Sequence, residues 1–261
     1  MRAVRTHRGP AGDAARRRGR RRPTGGTPGD GARPRALRAV PGVRHGGAVT
    51  LPDVIPVFPL PNVVLFPQIV LPLHIFEPRY REMVRDAARG PRLIGMALMR
   101  EGWQQDYHGA PPIFTTGTVG EMVRMEELPD GRFNIVLRGL REFVVQRELR
   151  RRAYREAVVI WHAPHAGTLP SGMREGITAL VRLYIERLGQ EAGDEGPLGA
   201  AADDETFVNF FAHHLDVPPV EKQALLEAAT LAERAARLRD VLEFRLEELR
   251  LPPGGAPRRT H

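Results

Sequence analysis

The sequence predicts an α+β chain, with about six strands and one helix first and an α-helical bundle after them. Three observations carry this. Prolines at 56, 59, 61, 67 and 72 punctuate apolar triplets between Ile55 and Tyr80, so no helix can run through that stretch. From Leu93 to Trp161 the apolar residues fall in short runs or alternate, the strand period. From Ser171 onward the apolar spacing changes to three and four residues, the helix period.

The proline-rich segment is extended and turns often. Pro67 and Pro72 cannot donate to a sheet ladder, so they belong at strand starts, edges or bulges. Gln68 to Ile75 reads as a second strand, with His74 opposite Leu73 and Ile75. A lone histidine in that setting is a hydrogen-bonded structural residue before it is a ligand. Glu77-Pro78 opens a helix, with Pro78 suited to the first helical position. Tyr80, Met83, Val84 and Ala87 lie on one face of it, and Gly90 supplies its stop. Leu93 to Met99 is a short, continuously apolar strand. Arg100 to Pro112 is a polar loop that carries Trp103 and Tyr107.

Ile113 to Met125 and Phe133 to Gln146 are strands joined by Leu128-Pro129-Asp130-Gly131, where proline sets φ and glycine accepts a positive φ. Imperfect alternation around Gly139 predicts a bulge. Tyr154 to Trp161 closes the β-rich region, assigned to residues 49–165. In the helical region, 171–251, Ser171 is the expected N-cap of a helix to Leu188. Gly189 to Ala202 reads as a Gly/acid-rich linker. A helix over Asp204 to Leu215 buries Phe207, Phe210 and Phe211, and Pro218-Pro219 opens a short one through Ala228. Thr230-x-x-Glu233 is a capping box for a last helix to Arg250, with Leu231, Ala235, Leu238, Leu242 and Leu249 as its seam. Twenty-one residues at helical rise give a rod roughly 30 Å long.

Charge is divided unevenly. The net charge is +8, yet residues 1–50 hold 13 arginines against Asp13 and Asp30, leaving 26 basic and 29 acidic residues in the remainder. Residues 1–48 contain few large apolar side chains and are expected to be disordered, as are 252–261. With 38 arginines and one lysine, the chain suggests GC-rich coding, and the basic tail is compatible with translated upstream sequence. No apolar stretch follows its arginines as a secretory signal requires. Nothing approaches the roughly 18 apolar residues of a membrane span. A cytoplasmic protein is the default.

The sequence is poor in reactive chemistry. Zero cysteines exclude disulfides, thiolate metal sites and cysteine nucleophiles together. The one lysine, Lys222, follows Glu221, so there is no phosphate-binding Gly-Lys-Ser/Thr loop. The one serine, Ser171, stands where serine caps helices. His162-x-x-His165 lies in a Pro/Gly-rich loop. His213 and His214 are adjacent on a helix and point some 100° apart, so neither pair predicts a metal site. No cofactor is expected.

Pro59-Leu60-Pro61-Asn62-Val63-Val64-Leu65-Phe66-Pro67 and Leu71-Pro72-Leu73-His74-Ile75-Phe76-Glu77-Pro78-Arg79-Tyr80 resemble the opening of the Lon protease N-terminal domain. Gly117-Thr118-Val119-Gly120, Leu128-Pro129-Asp130-Gly131-Arg132 and Arg138-Gly139-Leu140-Arg141-Glu142-Phe143 are similar to its central strands. Val220 to Glu227 is similar to its helical part. The resemblance implies a β-rich PUA-like pseudo-barrel followed by a helical bundle. It further implies a non-catalytic module that binds unfolded or client proteins, as an adaptor beside a separate Lon-type protease, since the ATPase and peptidase domains of full-length Lon are not in this sequence. Candidate protein-binding residues are Phe76, Glu77, Tyr80, Met99, Trp103 and Tyr107, because aromatics and methionine suit adaptable recognition. The spacing of Tyr80 equally suits a core position. The alternative is an RNA-binding PUA-like protein. Against it stand the acidic balance outside the tail and the lack of RNP-like strands, so nucleic acid is expected only at the basic tail. An unrecognised hydrolase is the third possibility.

Overall fold

The structure, a computed structural model, describes residues 51–106, 109–165, 167–189 and 202–250. Tyr107, much of the Gly189–Ala202 linker and the two tails lie outside the described residues.

Six strands form one sheet: β1 (Val54–Leu60), β2 (Val70–Ile75), β3 (Leu93–Met99), β4 (Ile113–Glu127), β5 (Phe133–Leu149) and β6 (Arg155–Trp161). Their order is β2-β5-β4-β3-β1-β6, and β5 pairs with β6 as well, so five of the strands close a circuit and β2 hangs on its outside. All pairings are antiparallel except β1 with β3. The long β5 makes closure possible. Its first half carries β2, its second half carries β6, and β4 runs along most of it.

Proline is tolerated inside β1 for a geometrical reason. Residues 54–57 pair with β6 and 57–60 pair with β3, so Pro56 and Pro59 each occupy a half with one free side. The bulge expected near Gly139 is present. Val119 pairs with Arg141 and Gly120 with Gly139, which leaves Leu140 as the extra residue. A Cβ on Gly139 would stand 2.1 Å from the Phe66 carbonyl oxygen, so only glycine lets the Phe66–Ile69 turn lie against β5. Gln68, at φ 66, makes that turn and starts β2 two residues later than the apolar pattern suggests.

Helix α1 (Pro78–Arg89) buries Tyr80, Met83, Val84 and Ala87, the predicted face. Gly90 follows it, but the left-handed residue is Arg92, φ 61, whose N–H returns to the Ala87 carbonyl. A 3₁₀ turn spans Trp103–Asp106. The remaining helices are α2 (Met173–Arg187), α3 (Asp204–His214), α4 (Pro219–Leu226) and α5 (Leu231–Arg250). Ser171 does not cap α2. Left-handed Gly172 holds the cap position without a side-chain bond. At α5 the capping box forms: Thr230 Oγ1 accepts from Glu233 N at 3.1 Å, and Glu233 Oε2 accepts from Ala229 N at 2.9 Å. Leu246 completes the buried α5 seam, whereas Leu249, in the last turn, is exposed.

Two apolar clusters result. One includes Ile55, Val57, Ala97, Val119, Phe143 and Val159 from the five strands of the circuit. Gly95 and Gly117 leave room there for the Phe143 ring. The larger cluster joins Phe58, Phe66, Ile75, Met83, Phe133 and Leu137 to Ile177, Phe207, Val208, Leu238 and Leu242. Sheet, α1 and the later helices therefore share one core.

Candidate protein-binding surface

The candidate residues separate by burial. Phe76 is 59% exposed, just past β2. Glu77 occupies the N-cap of α1; its carbonyl accepts from Tyr80 N and Arg81 N, and its carboxylate meets Arg79 Nε at 3.0 Å. Tyr80 is 4% exposed and packs on Phe58 with ring centroids 4.5 Å apart, while the Arg79 guanidinium lies 4.6 Å from its ring centre. Met99 is likewise 4% exposed, within the core cluster of the strand circuit, and Trp103 packs half-buried against that cluster. The side chains of Tyr80 and Met99 are therefore core, which is what strand and helix burial makes of apolar residues at those registers.

Around Phe76 the surface is an edge with a polar face beside it. Val70, Pro72 and His74 are exposed along β2, and the His74 and Phe76 rings stack at 6.4 Å. Arg132 Nη1 donates to His74 Nε2 at 3.2 Å, His74 Nδ1 donates to Asn134 Oδ1 at 2.8 Å, and Asn134 Nδ2 donates to Glu126 Oε2 at 3.4 Å. In this chain of bonds Nδ1 of the His74 ring is the donor and Nε2 the acceptor.

A second polar group is buried between strands and helices. Arg234 on α5 is fully buried. It donates to Leu225 O (3.0 Å), Asn209 Oδ1 (2.7 Å), Glu142 Oε1 (2.6 Å) and Leu226 O (3.0 Å). Asn209 in turn donates to Pro67 O at 3.2 Å, so α3, α5, β5 and the Phe66–Ile69 turn are tied together. Burial pushes the Glu142 carboxyl up, but the hydrogen bond from His165 and the Arg234 charge outweigh it and hold the carboxyl below its ordinary value.

His165 Nε2 sits 2.9 Å from Arg234 Nη2 and 3.4 Å from Glu142 Oε2. Nη2 has two hydrogens and already serves Glu142 and Leu226. Glu142 Oε2 makes no other hydrogen bond. His165 Nε2 therefore lies between a donor whose hydrogens are engaged and the Glu142 Oε2 acceptor, the contact that helps to lower the Glu142 carboxyl. The cavity beside it, about 130 Å³, is lined by Gln68, Arg141, Glu142, His165 and Glu205 among others. Burial raises the Glu205 carboxyl.

Sequence reasoning missed this bridge. The signal was present: Arg234 lies three residues after Leu231 and one before Ala235, on the apolar seam itself. An arginine at a seam position needs a buried partner. The spatial partner, Glu142, is 92 residues away and carries no local sign of it.

Elsewhere, His213 Nδ1 contacts Val64 O at 3.1 Å, and burial, with the neighbouring His214, lowers its pKa to about 4. Lys222 Nζ donates to the His213 carbonyl at 2.5 Å. Among the described residues no set of three His, Asp or Glu side chains is arranged to hold a metal ion. No helix among them is long and apolar enough to cross a membrane.

Residues 54–243, from β1 into α5, match the profile of the ATP-dependent protease La (LON) substrate-binding domain. This chain belongs to that family. Lon protease 2 of Myxococcus xanthus is 30% identical over 210 residues, which cover 77% of this chain and 25% of the relative. The Lon protease of Parabacteroides distasonis is 29% identical over 205 residues, 76% of this chain and 25% of its own length. The chain thus spans about a quarter of these Lon proteases. Among solved structures, the Lon N-terminal domain protein from Xanthomonas campestris superimposes with a TM-score of 0.54 at 24% identity, covering 73% of this chain and 98% of that one. The N-terminal domain of a Mycobacterium avium complex Lon protease gives 0.55 at 15% identity, with the same coverage. Both likenesses concern the fold.

Proposed function

We propose that this Lon-domain chain is a non-catalytic protein-binding module that recognises exposed apolar or unfolded segments of other proteins. The observation that carries the reading is the substrate-binding-domain match over residues 54–243, because that domain takes its name from holding protein substrates. Its closed strand circuit with an outlying β2 is read as a PUA-like pseudo-barrel, and α2 to α5 as a helical subdomain beside it. Phe76 supports a binding face near the start of α1, being large, apolar and 59% exposed. Glu77, next in the chain at the N-cap of α1, adjoins it, whereas Trp103 packs on the strand-circuit cluster. Tyr80 and Met99, both buried, do not offer their side chains to a client in this reading. The module works in the cytoplasm as an adaptor for a separate Lon-type protease, and delivers clients rather than cutting them.

The test is equilibrium binding of the intact chain to a reduced, alkylated globular protein and to the same protein in its native state. Saturable binding of the unfolded form, with none of the native form, is expected. No measurable affinity for several unfolded proteins overturns the reading.

A further inference from the structure

We propose that the free edge of β2, residues Val70–Ile75, takes an added β-strand, so that a client is held first by its extended main chain. This rests on the protein-binding reading and specifies how the binding is done. Among the described residues β2 ends the strand order and pairs with β5 alone, and no backbone hydrogen bond outside that ladder involves residues 70–76. The phase of the edge is fixed. Ile69 O accepts from Gly139 N at 2.9 Å, towards β5, so residues 71, 73 and 75 face β5 and residues 70, 72 and 74 face away. Pro72, which has no N–H to give, falls on the outward side as that phase requires.

The outward edge therefore offers the N–H groups of Val70 and His74 and the carbonyls of Val70, Pro72 and His74. An unpaired edge of this kind is a template for another chain. A single proline shortens the ladder without abolishing it. The six residues Val-Leu-Pro-Leu-His-Ile carry no carboxylate, lysine or arginine, and beside them Arg132 and Glu126 are of opposite sign, so the edge has no net charge with which to select a charged guest. Val70, 38% exposed, and Phe76, 59% exposed, flank the edge and offer apolar contact to alternate side chains of the incoming strand. Backbone pairing with apolar flanks fits an extended, unfolded, apolar segment and is indifferent to its sequence, the chemistry of strand addition.

The experiment compares the intact chain with two variants and two peptides. The probe is an uncharged ten-residue Val/Thr/Phe peptide, against the same peptide N-methylated at alternate residues. The variant His74→Ala removes the ring but keeps the backbone N–H, whereas His74→Pro removes that N–H as well. We expect N-methylation and His74→Pro each to weaken binding at least about tenfold, and His74→Ala to change it by less than about threefold. The N-methyl comparison uses unaltered protein, so it stands even where His74→Pro fails to fold. Binding that is indifferent to N-methylation overturns the strand-addition proposal and leaves the protein-binding reading in place. Absence of binding to any unfolded protein or peptide overturns both. A dimer that dissociates on His74→Pro, seen by sedimentation, assigns the edge to a second copy and overturns the proposal.

Discussion

Arg234 Nη2 on α5 donates to Glu142 Oε1 on β5 at 2.6 Å, and both side chains are out of contact with water. Removing one partner strands the other as a buried charge. Arg234→Met alone and Glu142→Leu alone should each cost about 3–5 kcal/mol, measured by urea unfolding. The double substitution should recover only the part of that loss due to a stranded charge, because Asn209 Oδ1 and the Leu225 and Leu226 carbonyls still lose their Arg234 donor. Additive losses in the double variant would show that the pair is not coupled.

The pH dependence has a definite sign. His213 carries a folded pKa of about 4 against an ordinary 6.5, so the unfolded chain binds more protons between those values. Stability rises with pH across that window and falls as pH drops from 6.5 towards 4. Glu142, held below its ordinary value by His165 and Arg234 against the pull of burial, adds a loss at still lower pH. Urea midpoints measured from pH 7 to 4 should decline. His213→Asn, which keeps a donor for Val64 O but does not titrate there, should flatten the slope between 6.5 and 4.

Two glycines make a paired test of backbone approach. Gly139→Ala forces a Cβ onto the Phe66 carbonyl and should cost at least about 1–3 kcal/mol. Gly176 lies inside α2 with nothing within 4 Å of a built Cβ, so Gly176→Ala should stabilise by up to about 1 kcal/mol. Thermal unfolding of the two variants should move in opposite directions.

Phe76 and Tyr80, four residues apart, should behave as different kinds of residue. Phe76→Ser should leave the melting temperature nearly unchanged and weaken binding of an unfolded client about three- to tenfold. Tyr80→Ala should lower stability by about 3 kcal/mol, since its buried ring packs on Phe58. Equal stability losses at the two positions would contradict the burial difference.

Much of this fold is legible because its signals are local. Pro78 starts α1, Gly131 adopts φ 76 in the predicted turn, and Thr230 caps α5, each decided by residues within a few positions. The bulge at Leu140 is legible for the same reason. Closure of the strand circuit is not, because the pairing of Val144 with Ile160 depends on how β5 bends. The site divides the same way. Phe76, named from its aromatic character at the strand–helix junction, is 59% exposed. Tyr80 reads two ways, and only packing against Phe58 decides it. Ser171 shows a local signal misread, since left-handed Gly172 takes the cap that serine ordinarily fills.

Hydrogen–deuterium exchange of the intact chain, with and without a saturating unfolded client, tests the central claim most directly. Slowed exchange at Val70, His74 and Phe76, with the α2 and α5 amides unchanged, is the result expected of a chain that grips extended polypeptide at the β2 edge. Protection confined to the helices, or none at any client concentration, would contradict it.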